Sequence, residues 1–192
     1  LFDIPTPLWL PFGFLPNVQG RRSGPLAPSY GQDRRKGLFL RDWGWYFALN
    51  AYTDLQLRAS VWSKGSFEVN PIFRYRKRYN YNGQVDLQYR RTQIGEEEDP
   101  DFTNRHEGQL QWSHSQDLSP TSAIRGNVNL ATSTDFARRS SNNYDDAVSQ
   151  EISSNLRYSK DWPGGGNSLN LSVNQRQQLQ SGRVSMTLPS LN

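Results

Sequence analysis

Two histidines and one run of acids are the residues of this chain that could do catalytic or metal chemistry, and their spacing argues against both. His106 and His114 stand eight residues apart, which does not match the close spacing of ligands that share a metal. Glu96-Glu97-Glu98-Asp99 places four carboxylates in a row ahead of Pro100. A catalytic pair needs two carboxylates at a fixed separation in unlike surroundings. Four consecutive acids beside a proline form instead a solvated loop, with weak divalent-cation binding as the one chemical role open to it. The chain has no Cys, so thiolate metal sites and disulfides are excluded. It carries no G-x-S-x-G and no phosphate loop. No enzymatic activity, cofactor or metal is expected.

The basic residues carry more information. Arg21-Arg22 and Arg34-Arg35-Lys36 flank a proline-rich stretch. Arginine suits bidentate phosphate recognition; the ordinary alternative is charge that keeps hairpin ends wet. Arg74, Arg76 and Arg78 recur at period two and so share one face of a strand. There they could meet sugar phosphates or pair with Asp86 and Glu68 on neighbouring strands, and pairing is the expectation. Basic residues interleaved with tyrosine over 74–81 resemble a nucleic-acid surface, but the patterning described next makes nucleic acid a minor option.

The elements that must hold these residues are strands. In Gln84-Val85-Asp86-Leu87-Gln88-Tyr89-Arg90 the odd positions are apolar and the even ones polar. The same alternation returns around Leu110-Trp112, Ile124-Leu130, Ile152-Tyr158, Leu169-Val173 and Val184-Leu188. Turn-forming stretches separate the segments: Ser63-Gly65, Tyr81-Asn82-Gly83, Gly95 to Asp101, Asp117 to Pro120, Ser140 to Asp146 and Trp162 to Asn167. Asn82-Gly83 is a tight-hairpin signal. About ten strands of roughly 10 to 14 residues result, joined as an up-and-down meander, with no segment of helical period.

Mean hydropathy is −0.82 and only 34% of residues are hydrophobic, yet the chain holds six Trp, nine Tyr and nine Phe. That aromatic content excludes a disordered tail. A water-lined membrane barrel fits the combination: its outer face is apolar, its lumen polar, and aromatics mark the two interfaces. Tyr75, Tyr79, Tyr81, Tyr89, Trp112, Tyr158 and Trp162 lie near segment ends, as such girdles require. A porin-like or receptor barrel and a soluble carbohydrate-binding β-domain remain as alternatives. The net charge of +4 permits an anionic partner without demanding one. A first residue that is not Met suggests a piece of a longer or processed chain.

The opening segment bears a resemblance. Pro11-Phe12-Gly13-Phe14-Leu15-Pro16, followed by Arg21-Arg22-Ser23-Gly24-Pro25-Leu26-Ala27-Pro28-Ser29-Tyr30-Gly31, resembles the junction between periplasmic jellyroll and barrel in the LptD (OstA) family of lipopolysaccharide-assembly outer-membrane proteins. Asp33 to Asp42 and Phe73 to Tyr79 resemble the Bacteroidota version of that family. The specific likeness covers about residues 7–90; beyond them it is general barrel alternation.

The resemblance implies an all-β fold: an antiparallel up-and-down meander forming part of a large transmembrane β-barrel, preceded by the end of a periplasmic β-jellyroll. Residues 1–18 would end the jellyroll, with Leu8, Trp9, Leu10, Phe12 and Phe14 as a core strand or an acyl groove. Residues 19–192 would supply the first nine or ten barrel strands. It implies an outer-membrane location with the N-terminal end periplasmic. The partners it implies are lipopolysaccharide, outer-membrane lipids, an LptE-like plug lipoprotein and an LptA-like bridge protein. It implies a lateral gate weakened by prolines in the first strands. Pro25 and Pro28 match that region, and Gly44 stands where a second-strand proline is usual; Pro11 and Pro16 would shape the turn into the barrel. Arg21, Arg22, Arg34, Arg35 and Lys36 would then meet lipid A phosphates near the entrance.

Overall fold

Period-two alternation becomes eleven strand segments in one antiparallel sheet. The computed structural model describes residues 21–95, 98–100, 102–133, 151–164, 166–178 and 184–187. The segments are β1 (Gly24–Leu26), β2 (Ser29–Asp33), β3 (Gly37–Ala48), β4 (Thr53–Trp62), β5 (Phe67–Lys77), β6 (Tyr81–Ile94), β7 (Thr103–Ser119), β8 (Ser122–Ala131), β9 (Glu151–Trp162), β10 (Asn167–Gln178) and β11 (Val184–Thr187). No helix occurs among the described residues. Strands pair in chain order, and β1 and β2 both pair with β3. They occupy one position in the sheet, because the register Leu26↔Gly44 continues as Ser29↔Arg41. The expected meander of about ten strands is therefore what forms. The jellyroll expected over 1–18, with its apolar residues and Pro11 and Pro16, lies outside the described residues.

The connections differ between the two ends of the sheet. At one end they span 49–52, 78–80, 120–121 and 163–166, none longer than four residues. At the other they span 34–36, 63–66, 95–102, 132–150 and 179–183. All connections longer than four residues fall on one rim, which is the arrangement of outer-membrane barrels, short turns on one side and the longer loops on the other. One turn falls elsewhere than the sequence predicts. Asn82 and Gly83 lie inside β6, and the hairpin turns at Arg78-Tyr79-Asn80. Tyr79 takes the left-handed backbone there, φ 60. Gly83 is needed for space: a Cβ on it would stand 2.3 Å from the Tyr75 ring and 2.6 Å from the Ser113 carbonyl.

The two faces have opposite chemistry, and the buried one is polar. Asp54, Gln56, Ser60, Glu107 and Gln109 are between 4% and 8% exposed. On the opposite face Leu57, Val61, Val69, Leu87, Leu130 and Leu156 are each about 40% exposed. In a soluble sandwich these apolar faces would meet in a dry core. Among the described residues only Ile72 and Ile152 are buried large apolar side chains. The sheet thus folds over its hydrophilic face and turns its apolar face outward, which is stable against lipid and not against water.

Candidate functional site: the edge of the sheet and its inner face

The edge is built from β1, β2 and β3, and three irregularities meet there. The ladder to β3 stops at Leu26, skips Ala27 and Pro28, and resumes at Ser29. Pro28 has no N–H to donate, and it falls opposite Asp42 in the continuing register. On its other side β3 carries a bulge against β4 between Leu40 and Trp43. Asp42 sits in that bulge with φ 60, and its N–H donates to Ser60 Oγ at 3.1 Å. The third feature is Gly44. A Cβ there would stand 1.9 Å from the Leu57 carbonyl oxygen, so β3 and β4 approach too closely for any other residue. The sequence marks Gly44 as a weak point of its strand; the geometry gives it a spacing role against β4. Pro25 pairs with Trp45, beside Gly44. The three residues singled out for a gate therefore lie together.

The five basic residues do not form one cluster. Arg21 and Arg22 precede β1 at the short-turn end, whereas Arg34-Arg35-Lys36 form the β2–β3 turn at the other. The ten residues of edge strand between them span roughly 33 Å. Arg21 Nη1 is committed to Asp54 Oδ2 at 2.8 Å. In the β2–β3 turn Asp33 Oδ1 accepts the backbone N–H of Arg35 at 2.7 Å and of Lys36 at 2.9 Å. Those two amides, that of Lys36 first, hold the Asp33 carboxyl below its ordinary pKa. Lys36 Nζ stands 4.9 Å from the centre of the Trp62 ring.

On the inner face the charged residues pair, though with other partners than predicted. Arg74 Nη1 reaches Asp54 Oδ1 at 3.3 Å and its Nη2 donates to Gln56 Oε1 at 2.9 Å. Glu68 instead takes Arg90 at 2.7 Å and Gln88 at 2.5 Å, and Asp86 accepts from Asn70 Nδ2 at 2.6 Å. The reason is register: Arg74 lies directly opposite Asp54, and Glu68 opposite Arg90. Arg76 shares the inner face with Arg74 and is exposed near the rim. Arg78 does not share it; it belongs to the turn and stacks on Tyr79 at 4.7 Å.

On the outer face, aromatic side chains mark two levels. At the short-turn end Trp112 Nε1 donates to Tyr75 Oη at 3.0 Å, and Tyr75 Oη lies 2.9 Å from His114 Nδ1. Toward the long-loop end Tyr89 Oη lies 2.8 Å from His106 Nδ1. The eight-residue spacing of the histidines places one at each level, roughly 26 Å apart along β7. With strands tilted by about 35–45° that is roughly 20 Å of height, which fits within the ~25 Å apolar band of a barrel. Each imidazole Nδ1 is engaged by a tyrosine hydroxyl, a role their spacing alone did not reveal. Of the acidic run, Glu96 and Glu97 lie outside the described residues, and the Asp99 carbonyl closes the loop by accepting the Phe102 N–H at 3.0 Å.

Sequence reasoning missed one device altogether. Pro71 lies within β5, in mid-sheet; it pairs with Leu57 of β4, while the ladder to β6 skips Asn70 and Pro71 and leaves Pro71 facing Leu87 in the continuing register. The Asn70 side-chain amide donates to the Leu87 carbonyl at 3.0 Å, in place of the N–H that proline lacks.

No curated protein matches the chain. A family model described as LptD protein matches residues 1–192, the whole sequence. Its members handle lipopolysaccharide transport in the outer membrane and are assembly proteins rather than enzymes, and an antiparallel sheet with its apolar face outward is the fold such work requires. The porin-like and soluble alternatives fall away, and this chain belongs to the LptD family.

Proposed function

We propose that the edge formed by β1, β2 and β3 is one lip of a lateral gate through which lipopolysaccharide enters the outer leaflet. The break at Ala27–Pro28 carries this reading. A missing N–H removes a ladder bond worth about 0.5–1.5 kcal/mol net, and here it leaves two short arms of three and five residue pairs on β3. Each arm can part from β3 at lower cost than one continuous strand. The break lies midway along the edge, at the depth where acyl chains must pass.

The short-turn end is periplasmic in this reading, with Arg21 and Arg22, and the long-loop end faces outside with Arg34, Arg35 and Lys36. The turn cluster then lies near the phosphates of lipid A after insertion, and Arg21 and Arg22 near those arriving. Residues 1–18 would end a periplasmic jellyroll fed by an LptA-like bridge protein, and an LptE-like lipoprotein would plug the lumen.

The test is a photoreactive benzophenone at position 28 of the full-length protein in cells. It should crosslink to lipopolysaccharide, while the same group at position 130, distant from the edge on the outer face, should not. Labelling of protein alone at position 28 would overturn the gate.

A further inference from the structure

The two arms of the edge are held to β3 in different ways. Five residue pairs join β2 to β3. A tight turn closes that hairpin, with Asp33 capping two of its backbone amides. Gly31 of β2 lies under the Phe39 ring, where an added Cβ would stand 2.6 Å from Cζ. β1 has only three pairs, one of them through Pro25, and a Cβ added at its Gly24 would meet nothing within 4 Å. It has no turn of its own onto β3 and ends at the break of Ala27–Pro28. Two side chains ahead of β1 make up for this. Ser23 Oγ accepts the Ala48 N–H at 2.8 Å. Arg21 reaches past β3 to the next strand, β4, where its Nη1 stands 2.8 Å from Asp54 Oδ2.

The Asp54 contact can be broken without stranding a charge. Asp54 is buried, and stripping a buried carboxylate of its only partner is strongly unfavourable. Asp54 has two partners. Arg74, directly opposite on β5, holds Oδ1 at 3.3 Å and is itself steadied by donating to Gln56 Oε1 at 2.9 Å. Arg21, whose side chain is half exposed, holds the other oxygen. When Arg21 leaves, the carboxylate keeps a cation that belongs to the sheet, and the departing guanidinium goes into water. An ion pair open to water on one side is weak enough to make and break.

We propose that β1 is a strap that swings off β3 about Ala27–Pro28, and that Arg21 on Asp54 is the clasp holding it shut. β2 stays paired throughout. The strap rests on the gate reading and adds to it which arm moves and what secures that arm at rest. Arg21 is then a positioning residue, acting through β1, and Arg74 is the fixed half of the clasp that lets Asp54 tolerate its release.

The test uses the full-length protein with its partners in cells, with the benzophenone at position 28 as readout. Gly24→Cys with Tyr46→Cys places a disulfide between register partners of β1 and β3. Gly31→Cys with Phe39→Cys places one between partners of β2 and β3. Thiol alkylation checks that each is closed. The first disulfide should abolish labelling of lipopolysaccharide at 28 until it is reduced, and the second should leave labelling unchanged. In the purified protein, Arg21→Gln should speed hydrogen exchange of the Gly24 and Leu26 amides about fivefold, the order for one half-exposed ion pair. The amides of 29–33 should not change. Arg21→Lys, which keeps the charge, should restore most of the protection. Labelling at 28 that persists with the 24–46 disulfide closed overturns the strap and leaves the gate. Equal loss with both disulfides also overturns the strap, since neither arm then moves alone. Equal exchange in Arg21→Gln and the parent overturns the clasp. No labelling at 28 even after reduction removes the gate and the strap together.

Discussion

Pro28 and Pro71 present the same chemical defect in two parts of one sheet, and the sheet answers them differently. At Pro71, in mid-sheet, the ladder to β6 also skips two pairs, but Asn70 reaches across and donates to Leu87, and β5 stays paired with β4 through Pro71. The neighbouring β6–β7 ladder runs unbroken from Tyr81↔Gln116 to Ile94↔Thr103. At Pro28, on the edge, the ladder is interrupted, and β3 is bulged on its other flank at the same level. A proline does not by itself make a weak strand; an unrepaired one beside a bulge does.

The largest test of that contrast is on the continuous region. Leu87→Arg puts a charge near the middle of the outward face and should cost about 2–4 kcal/mol in refolding titrations into lipid bilayers. The same change at Leu38, next to the β2–β3 turn, should cost about 0–1 kcal/mol. Equal costs would mean that the outward face does not cross a bilayer.

Gly44→Ala comes next. Its methyl must push β4 away, and about 1–3 kcal/mol should be lost. Gly24→Ala, where nothing lies within 4 Å of the added atom, should stay within about 0.5 kcal/mol. Asn70→Ala should cost about 1–2 kcal/mol, because the Leu87 carbonyl loses its donor. Asn70→Ala with Pro71→Ala should recover much of that, since the backbone N–H returns. A double variant no better than the single one would refute the repair. Pro28→Ala has the smallest effect on stability, a gain of about 0.5–1.5 kcal/mol. Its clearer readout is hydrogen exchange: amides of 29–33 should exchange several times more slowly, and outer-membrane lipopolysaccharide assembly should slow with them.

Much of this was legible in the sequence because a strand exposes its period to inspection. Alternation gave the meander, and Ser63-Lys64-Gly65 marked its turn correctly, with Gly65 at φ 88. Pro28 marked its break. What was not legible depends on register. Arg74 meets Asp54 rather than Asp86 or Glu68 because of which residues stand opposite, and no single strand carries that information. Asn82-Gly83 resembles a turn, but Gly83 serves the Tyr75 ring that lies over it. The bulge at Asp42 is marked only faintly: aspartate takes the left-handed backbone more readily than most residues, but many aspartates do so in turns instead. Asn70 carries no mark of its own in the sequence; its role follows from its place beside Pro71 and its reach to β6.

The claim beneath all of this is that the outward face meets lipid and the inward face meets water. The absence of cysteine makes it directly measurable. Leu110→Cys and Gln111→Cys place single thiols on adjacent residues of β7, one on each face. In intact outer membranes a small charged thiol reagent should modify position 111 and spare 110, while a lipid-soluble maleimide should do the reverse. Ready modification of position 110 by the charged reagent, with 111 protected, would contradict the account.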